Sequence, residues 1–246
     1  MPFKFAMVCE ARADFEIASS LATRVLCGKL SWLDARLGGC SLWLEVRPNQ
    51  RFLTWQEIPA EARRLDIKAH GKFQGDAGKP DARAARKALL VIERLVEKEL
   101  GGQCDGVILV RDDDGDEQRR EGLEQARRAS QWDRPIVLGV AHTKRECWVL
   151  AGFQPKDKKE KGLLDDLRLG FDPLEDAQEL TATHDHDKRS AKRVLEVLTG
   201  GDRERERECW ENTDLELLRT RGDATGLREY LREVEERLAP RLGKPP

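Results

Sequence analysis

Three acidic signals follow three apolar runs in this chain. Glu10 comes directly after Phe3 to Cys9, the string Asp112-Asp113-Asp114-Gly115-Asp116 follows Val107 to Val110, and Glu146 follows Ile136 to Val140. In an open parallel sheet, residues beyond the carboxyl ends of different strands converge on the crevice where ligands bind. Carboxylates gathered there repel one another unless a cation or bound protons relieve them. Hard ions such as Mg²⁺ or Mn²⁺ take oxygen ligands, a few carboxylates with several waters, so the pattern points to divalent-metal chemistry. Taken singly, each acid has a plainer reading. Glu10 suits the start of a helix, where the dipole favours an anion, and Asp112 to Asp116 suit a solvated turn. Their joint occurrence after three apolar runs favours a site.

Other chemistries find less support. His184-Asp185-His186-Asp187 holds competent metal ligands, but it precedes an apolar-periodic segment that Asp187 can cap. His70 and His142 are isolated, and His142, after the third apolar run, reads first as a satisfied neutral imidazole. Ser19, Ser20 and Cys147 have no His and acid partners placed by sequence, and no Gly-rich phosphate loop ending in Lys-Ser/Thr is present. The spacing Asp112 to Asp116 excludes an EF-hand, whose Gly belongs at the sixth loop position rather than the fourth. The six tryptophans sit among apolar or helical residues and read as core.

The elements that must position these acids are legible from periodicity. Phe3 to Cys9 reads as a buried strand leading into a helix through Ile17, Leu21 and Val25. A strand is expected at Ser41 to Val46, a short helix after Pro59, and a loop broken by Gly71, Gly75 and Gly78. Asp81 to Leu100 is an amphipathic helix with Ala85, Ala88, Leu89, Ile92, Leu95 and Val96 on one face, stopped by Gly101-Gly102. Val107 to Val110 and Ile136 to Val140 are continuous apolar strands of the kind buried on both faces. Helices follow each, one running through Arg128 and one containing Glu146, Trp148, Val149 and Leu150. This rhythm predicts an α/β fold, a Rossmann-like, mostly parallel sheet with a helical C-terminal extension.

The extension is expected over residues 154–246, packed on an α/β domain of residues 1–153, because Lys156 to Lys161 is a charge run and later segments look helical. Packing helices are predicted at Asp187 to Leu198 and Leu227 to Leu238, and alternating charges at Arg203 to Glu208 predict a solvent-facing turn. Lys+Arg number 44 against 46 Asp+Glu, a net charge of -2, so any nucleic-acid contact must use a local patch, for which Lys72, Lys144, Lys188 and Lys192 are candidates. No apolar run reaches the roughly 20 residues of a bilayer crossing. Six scattered cysteines without a Cys-x-x-Cys pair, and a start at Met1-Pro2-Phe3 lacking a signal peptide, lead to the expectation of a cytoplasmic protein without membrane partners.

Cys9-Glu10-Ala11-Arg12-Ala13-Asp14, the Asp112-Asp113-Asp114 run and Glu146-Cys147-Trp148-Val149-Leu150 together resemble the Toprim domain, most nearly the branch of bacterial proteins related to the OLD nucleases. The resemblance covers residues 1–150, with Cys147 in place of a small residue and no Gly after Glu10. It implies Mg²⁺- or Mn²⁺-dependent phosphodiester hydrolysis of DNA or RNA, in a defence or repair setting. By it, Asp112 and Asp114 are principal metal ligands, Glu10 is a ligand or general base, and Asp14 and Glu146 match further acids of the family; with Asp116 from the same acidic run they complete the candidate metal-ligating set. It also implies a second reading, a non-catalytic binding or assembly subunit of an ATPase-containing complex. Asp112 to Asp116 further resembles the haloacid-dehalogenase phosphatase motif, with Lys144 and Asp165-Asp166 as later parts, although Asp116 replaces its usual Thr and a whole βα unit precedes it.

Overall fold

The structure, a computed structural model, describes residues 3–33, 42–69, 72–73, 76–168, 170–182 and 184–243. Along the chain come β1 (Phe5–Cys9), α1 (Arg12–Lys29), β2 (Leu53–Thr54), α2 (Ile58–Arg64), β3 (Lys72–Phe73), β4 (Asp76–Ala77), α3 (Ala82–Lys98), β5 (Gly106–Asp112), α4 (Gln118–Ala129) and β6 (Ile136–Ala141). Then follow α5 (Arg145–Ala151), α6 (Lys158–Arg168), a 3-10 turn at Ala177–Glu179, α7 (Ala191–Thr199), α8 (Arg203–Glu211), α9 (Leu215–Arg221), α10 (Leu227–Glu233), a π-helical turn at Val234–Leu238 and α11 (Ala239–Leu242).

Four parallel strands form one sheet in the order β2-β1-β5-β6. Phe5 pairs with Gly106 and Val8 with Leu109, so β1 and β5 run side by side as the apolar runs predict. All five residues of β1 and all six of β6 are buried, which is why these strands read as unbroken apolar runs rather than alternating ones. β3 and β4 make a separate antiparallel pair.

Chain contacts divide the molecule into two compact units. One takes the chain up to Arg111, Asp116–Gly139 and the segment from Arg232, and the other takes Asp112–Gly115 and Val140–Leu231. The division differs from the expected boundary at 154: α5 belongs with the later helices, and the final segment belongs with the first unit.

Within the first unit, the predicted stripe of α3 is wholly buried, and Gly101 and Gly102 end the helix region at φ 68 and 78, a left-handed conformation that glycine adopts without Cβ strain. Trp55 donates its indole N–H to the Val110 carbonyl at 2.7 Å, anchoring the segment after β2 to β5. The buried Glu233 carboxylate accepts from the Leu138 N–H of β6 at 3.0 Å and from Arg127, so an edge-strand donor is satisfied inside the protein. Gly122 of α4 lies against the start of α3, where an added Cβ would stand 1.8 Å from the Pro80 carbonyl oxygen.

The second unit is helical around Trp148 and Tyr230, stacked at 5.1 Å and 15°, with the Trp148 indole donating to the Thr225 carbonyl at 2.9 Å. Several expectations change here and upstream. Instead of a strand at 41–46, Trp43 makes a single bridge to Phe5, and Ser41 lies outside the described residues. The expected glycine loop contains the β3-β4 pair, while Gly71 and Gly75 lie outside the described residues. The helix expected from Asp187 begins at Ala191, because Ser190 caps it by accepting from the Arg193 N–H at 3.4 Å. The alternating run at 203–208 is a helix with one buried charge, Arg205. Its guanidinium binds both Glu160 oxygens at 2.8 and 2.9 Å and the Gln154 carbonyl at 2.7 Å, and it lies 4.7 Å over the Phe153 ring.

Two outcomes test this packing. Gly122→Ala should lower stability by roughly 1–3 kcal/mol, read from the urea midpoint, because the backbone facing it cannot retreat as a side chain could. Arg205 hydrogen bonding holds the Glu160 carboxyl below its ordinary value against the opposing effect of burial. Such a contribution is complete above the unfolded carboxylate pKa, about 4.3, and is lost as pH falls through the lower folded value. Arg205→Leu should therefore cost about 2 kcal/mol at neutral pH, with the gap to the parent protein narrowing at acid pH; an undiminished gap there would assign the effect to packing on Phe153.

Candidate functional site

The middle aspartate of the acidic run is the one folded inward. Asp113 is 4% exposed, and its Oδ2 lies 2.8 Å from His142 Nδ1 while its Oδ1 accepts from the Gly115 N–H at 2.8 Å. A carboxylate offers only lone pairs, so Nδ1 carries the hydrogen, the tautomer in which a neutral ring has Nε2 as its acceptor. Backbone pairs reinforce the contact: Asp113 N–H donates to the Ala141 carbonyl at 3.0 Å and Asp114 N–H to the Thr143 carbonyl at 3.1 Å. His142 N–H in turn donates to the Thr225 carbonyl at 3.0 Å. The chain turns away at Asp114 and Gly115, with φ 50 and 81, a left-handed pair that Asp and Gly tolerate.

Asp112 and Glu146 meet the same hub by way of Arg145. Asp112 Oδ1 accepts from the Arg145 N–H at 3.0 Å, and the Arg145 guanidinium pairs with Glu146 at 2.8 Å. The second unit thus brings together Asp112, Asp113, Asp114, His142, Arg145 and Glu146. Further charge gathers around them. Burial pushes the Glu206 carboxyl up, with Arg145 opposing and Glu146 adding to the shift. Lys192 pairs with Asp185 at 2.7 Å, and this pair lies within electrostatic reach of Lys144 and Glu146. Hydrogen bonding to Lys192 lowers the Asp185 carboxyl, and Asp185 raises the Lys192 ammonium in return. Lys188 lies farther along the same segment, exposed, and the Lys72 side chain lies outside the described residues.

The first unit treats its predicted acids differently. Glu10, at the end of β1, is 3.6 Å from Arg111, whose guanidinium also binds Asp81 at 3.0 Å and lies 5.3 Å over the Trp55 ring. Asp14 is buried at the third position of α1, and its carboxylate reaches back to accept from the Glu10 and Ala11 N–H groups at 3.1 and 2.7 Å, just ahead of the helix. Asp116 is exposed and accepts from the Gln118 N–H at 3.0 Å at the start of α4. Among the described residues, no group of three or more His, Cys, Asp or Glu side chains is arranged to hold a metal ion, and no helix is long and apolar enough to cross a membrane. Among His184, Asp185, His186 and Asp187, the acid at 185 pairs with Lys192 and the His186 carbonyl accepts from Arg193.

Sequence reading singled out neither Asp113 nor Glu206 and read His142 as a satisfied imidazole, which its Nδ1 contact now explains. The available signal for Asp113 is phase, since along an extended chain alternate residues share a face and Asp113 is out of step with Asp112 and Asp114. Glu206 carries no such signal inside an alternating charge run.

If Asp113 anchors this region, Asp113→Leu should cost about 1–3 kcal/mol by orphaning the Gly115 N–H and the imidazole, whereas Asp116→Ala, removing an exposed cap, should cost no more than about 1 kcal/mol. Equal losses in urea unfolding would remove the anchoring role. No protein-family model, curated protein or solved structure matches the chain.

Proposed function

We propose that the chain is a Mg²⁺- or Mn²⁺-dependent phosphodiester hydrolase of nucleic acid, with its working groups in the second unit. The observation that carries this reading is the Asp113–His142 pair, flanked by Asp112 and Asp114. An imidazole oriented by a buried carboxylate is suited to take a proton from an attacking water at Nε2, the general-base role that hydrolysis of a phosphodiester requires. Asp113 fixes the tautomer that leaves Nε2 able to accept that proton. Burial pushes the Glu206 carboxyl up, with Glu146 adding to the shift.

The donor chemistry fits a hard divalent ion held sparingly. Mg²⁺ is usually bound by one or two carboxylates plus waters and substrate phosphate rather than by an all-protein cage. Asp112 and Asp114 would supply those carboxylates, and a bound ion would provide Lewis acidity and charge neutralisation for the phosphate. Lys144 and Lys192, both within electrostatic reach of Asp185, would supply positive charge for phosphate oxygens. The Toprim likeness of these residues supports the same class of reaction.

A second reading draws on the first unit. Glu10, which the Toprim resemblance makes a ligand or base, is paired with Arg111, and that pairing suits a Toprim-like binding or assembly subunit of an ATPase-containing complex. The experiment measures metal-dependent cleavage of single- and double-stranded DNA and RNA, with thermal stability in the presence and absence of Mn²⁺. The parent protein should cleave and gain stability with metal. Asp112→Asn/Asp114→Asn should lose both responses, and His142→Gln should keep the stability gain while losing about 10²–10⁴-fold in turnover. Glu10→Gln should leave cleavage within a few-fold if Glu10 serves only Arg111. Stabilisation without cleavage would favour the assembly subunit, and a parent indifferent to metal would remove the hydrolase reading.

A further inference from the structure

The second unit contains a cavity of about 630 Å³ between α6, the segment after it and α7. This is within the range of roughly 300–1,000 Å³ typical of small-ligand sites. Its walls are apolar, from Leu163 and Leu167 on α6 and Val194 and Val197 on α7. Its fringe is charged. Lys188 and Arg193 border it, both exposed. Among the described residues neither makes an ion pair, and Arg193 donates to the His186 backbone carbonyl. Arg189 also lines the cavity, its guanidinium 5.3 Å from the centroid of the Phe171 ring and held by Glu179 at 2.6 Å. A planar cation fixed on an aromatic ring makes a flat polarised platform, the surface on which bases stack. Asp166 adds a carboxylate to the lining.

Resting on the hydrolase reading for its biological substrate, we propose that this cavity is a nucleotide subsite. A base enters between the apolar walls and the Phe171–Arg189 platform, and its phosphate is bound by Lys188 and Arg193. The mixture of charges selects this ligand over an apolar anion. Two cations outside any described ion pair favour an anion, but a fatty carboxylate has no donor to offer Asp166, which would repel it. A base offers exocyclic N–H donors to the Asp166 carboxylate while its phosphate meets the cations. The subsite is separate from Asp112, Asp113 and His142 in its residues, so it gives a nucleic-acid strand a second foothold that sets binding rather than chemistry.

The test is equilibrium binding to the full chain without metal, using AMP, adenosine, inorganic phosphate and decanoate as probes. AMP should bind, with adenosine and phosphate each at least about tenfold weaker, since each satisfies only half of the site. Arg193→Gln should weaken AMP about tenfold and flatten its salt dependence, the signature of a lost phosphate contact. Phe171→Ala should weaken AMP and adenosine alike, with circular dichroism confirming that both variants fold. Decanoate binding as well as AMP, AMP failing to bind, or both variants retaining full affinity would each overturn the proposal. Diester cleavage is scored separately: AMP binding without cleavage upholds the subsite and removes the catalytic reading, whereas cleavage without AMP binding removes the subsite alone.

Discussion

The second unit is organised around one buried carboxylate. Asp113 sits where β5 ends, at 4% exposure, and a buried charge there is tolerable only if its lone pairs are met. His142 and the Gly115 N–H meet them, and the two flanking backbone bonds to Ala141 and Thr143 follow once the loops lie side by side. Everything else at the hub depends on this closure. It sets where Asp112 can receive the Arg145 N–H, where Asp114 turns away, and which ring nitrogen of His142 remains an acceptor.

The same physics explains why neighbouring acids have different fates. A cluster of carboxylates is repulsive, and each one here finds relief from the nearest donor or cation. Glu10 and Asp81 share Arg111, Asp14 takes the Glu10 and Ala11 N–H groups just ahead of α1, and Glu146 takes Arg145. In the proposed reading Asp112 and Asp114, on either side of Asp113, would share an ion that keeps most of its own water.

Beyond the hub, ion pairs on the helices of the second unit are graded by burial. Arg205 with Glu160 is enclosed and braces α6 against α8, while Lys192 with Asp185 is exposed and screened. Around α7 this grading leaves cations bordering a cavity with apolar walls. An arrangement of that kind is binding chemistry, and it uses none of the groups at the acidic hub.

By itself the sequence determined the βα rhythm, the parallel neighbours β1 and β5, the buried stripe of α3 and the presence of acids after three strands. Apolar periodicity is a local signal, and burial on two faces leaves it unbroken, so these elements could be read directly. The Toprim resemblance likewise rests on short local strings. Tertiary structure decided which aspartate of Asp112-Asp113-Asp114 is buried, that His142 is its partner, and that Arg111 takes Glu10. It also decided that Ser190 rather than Asp187 caps α7 and that Arg205 is buried within an alternating run. Apart from the local choice of cap for α7, these are settled by residues far apart in the chain competing for one donor or acceptor, with geometry at the ångström scale choosing the winner. Periodicity carries no record of that competition, because every acid in a run looks alike until a distant cation or N–H group is brought to one of them.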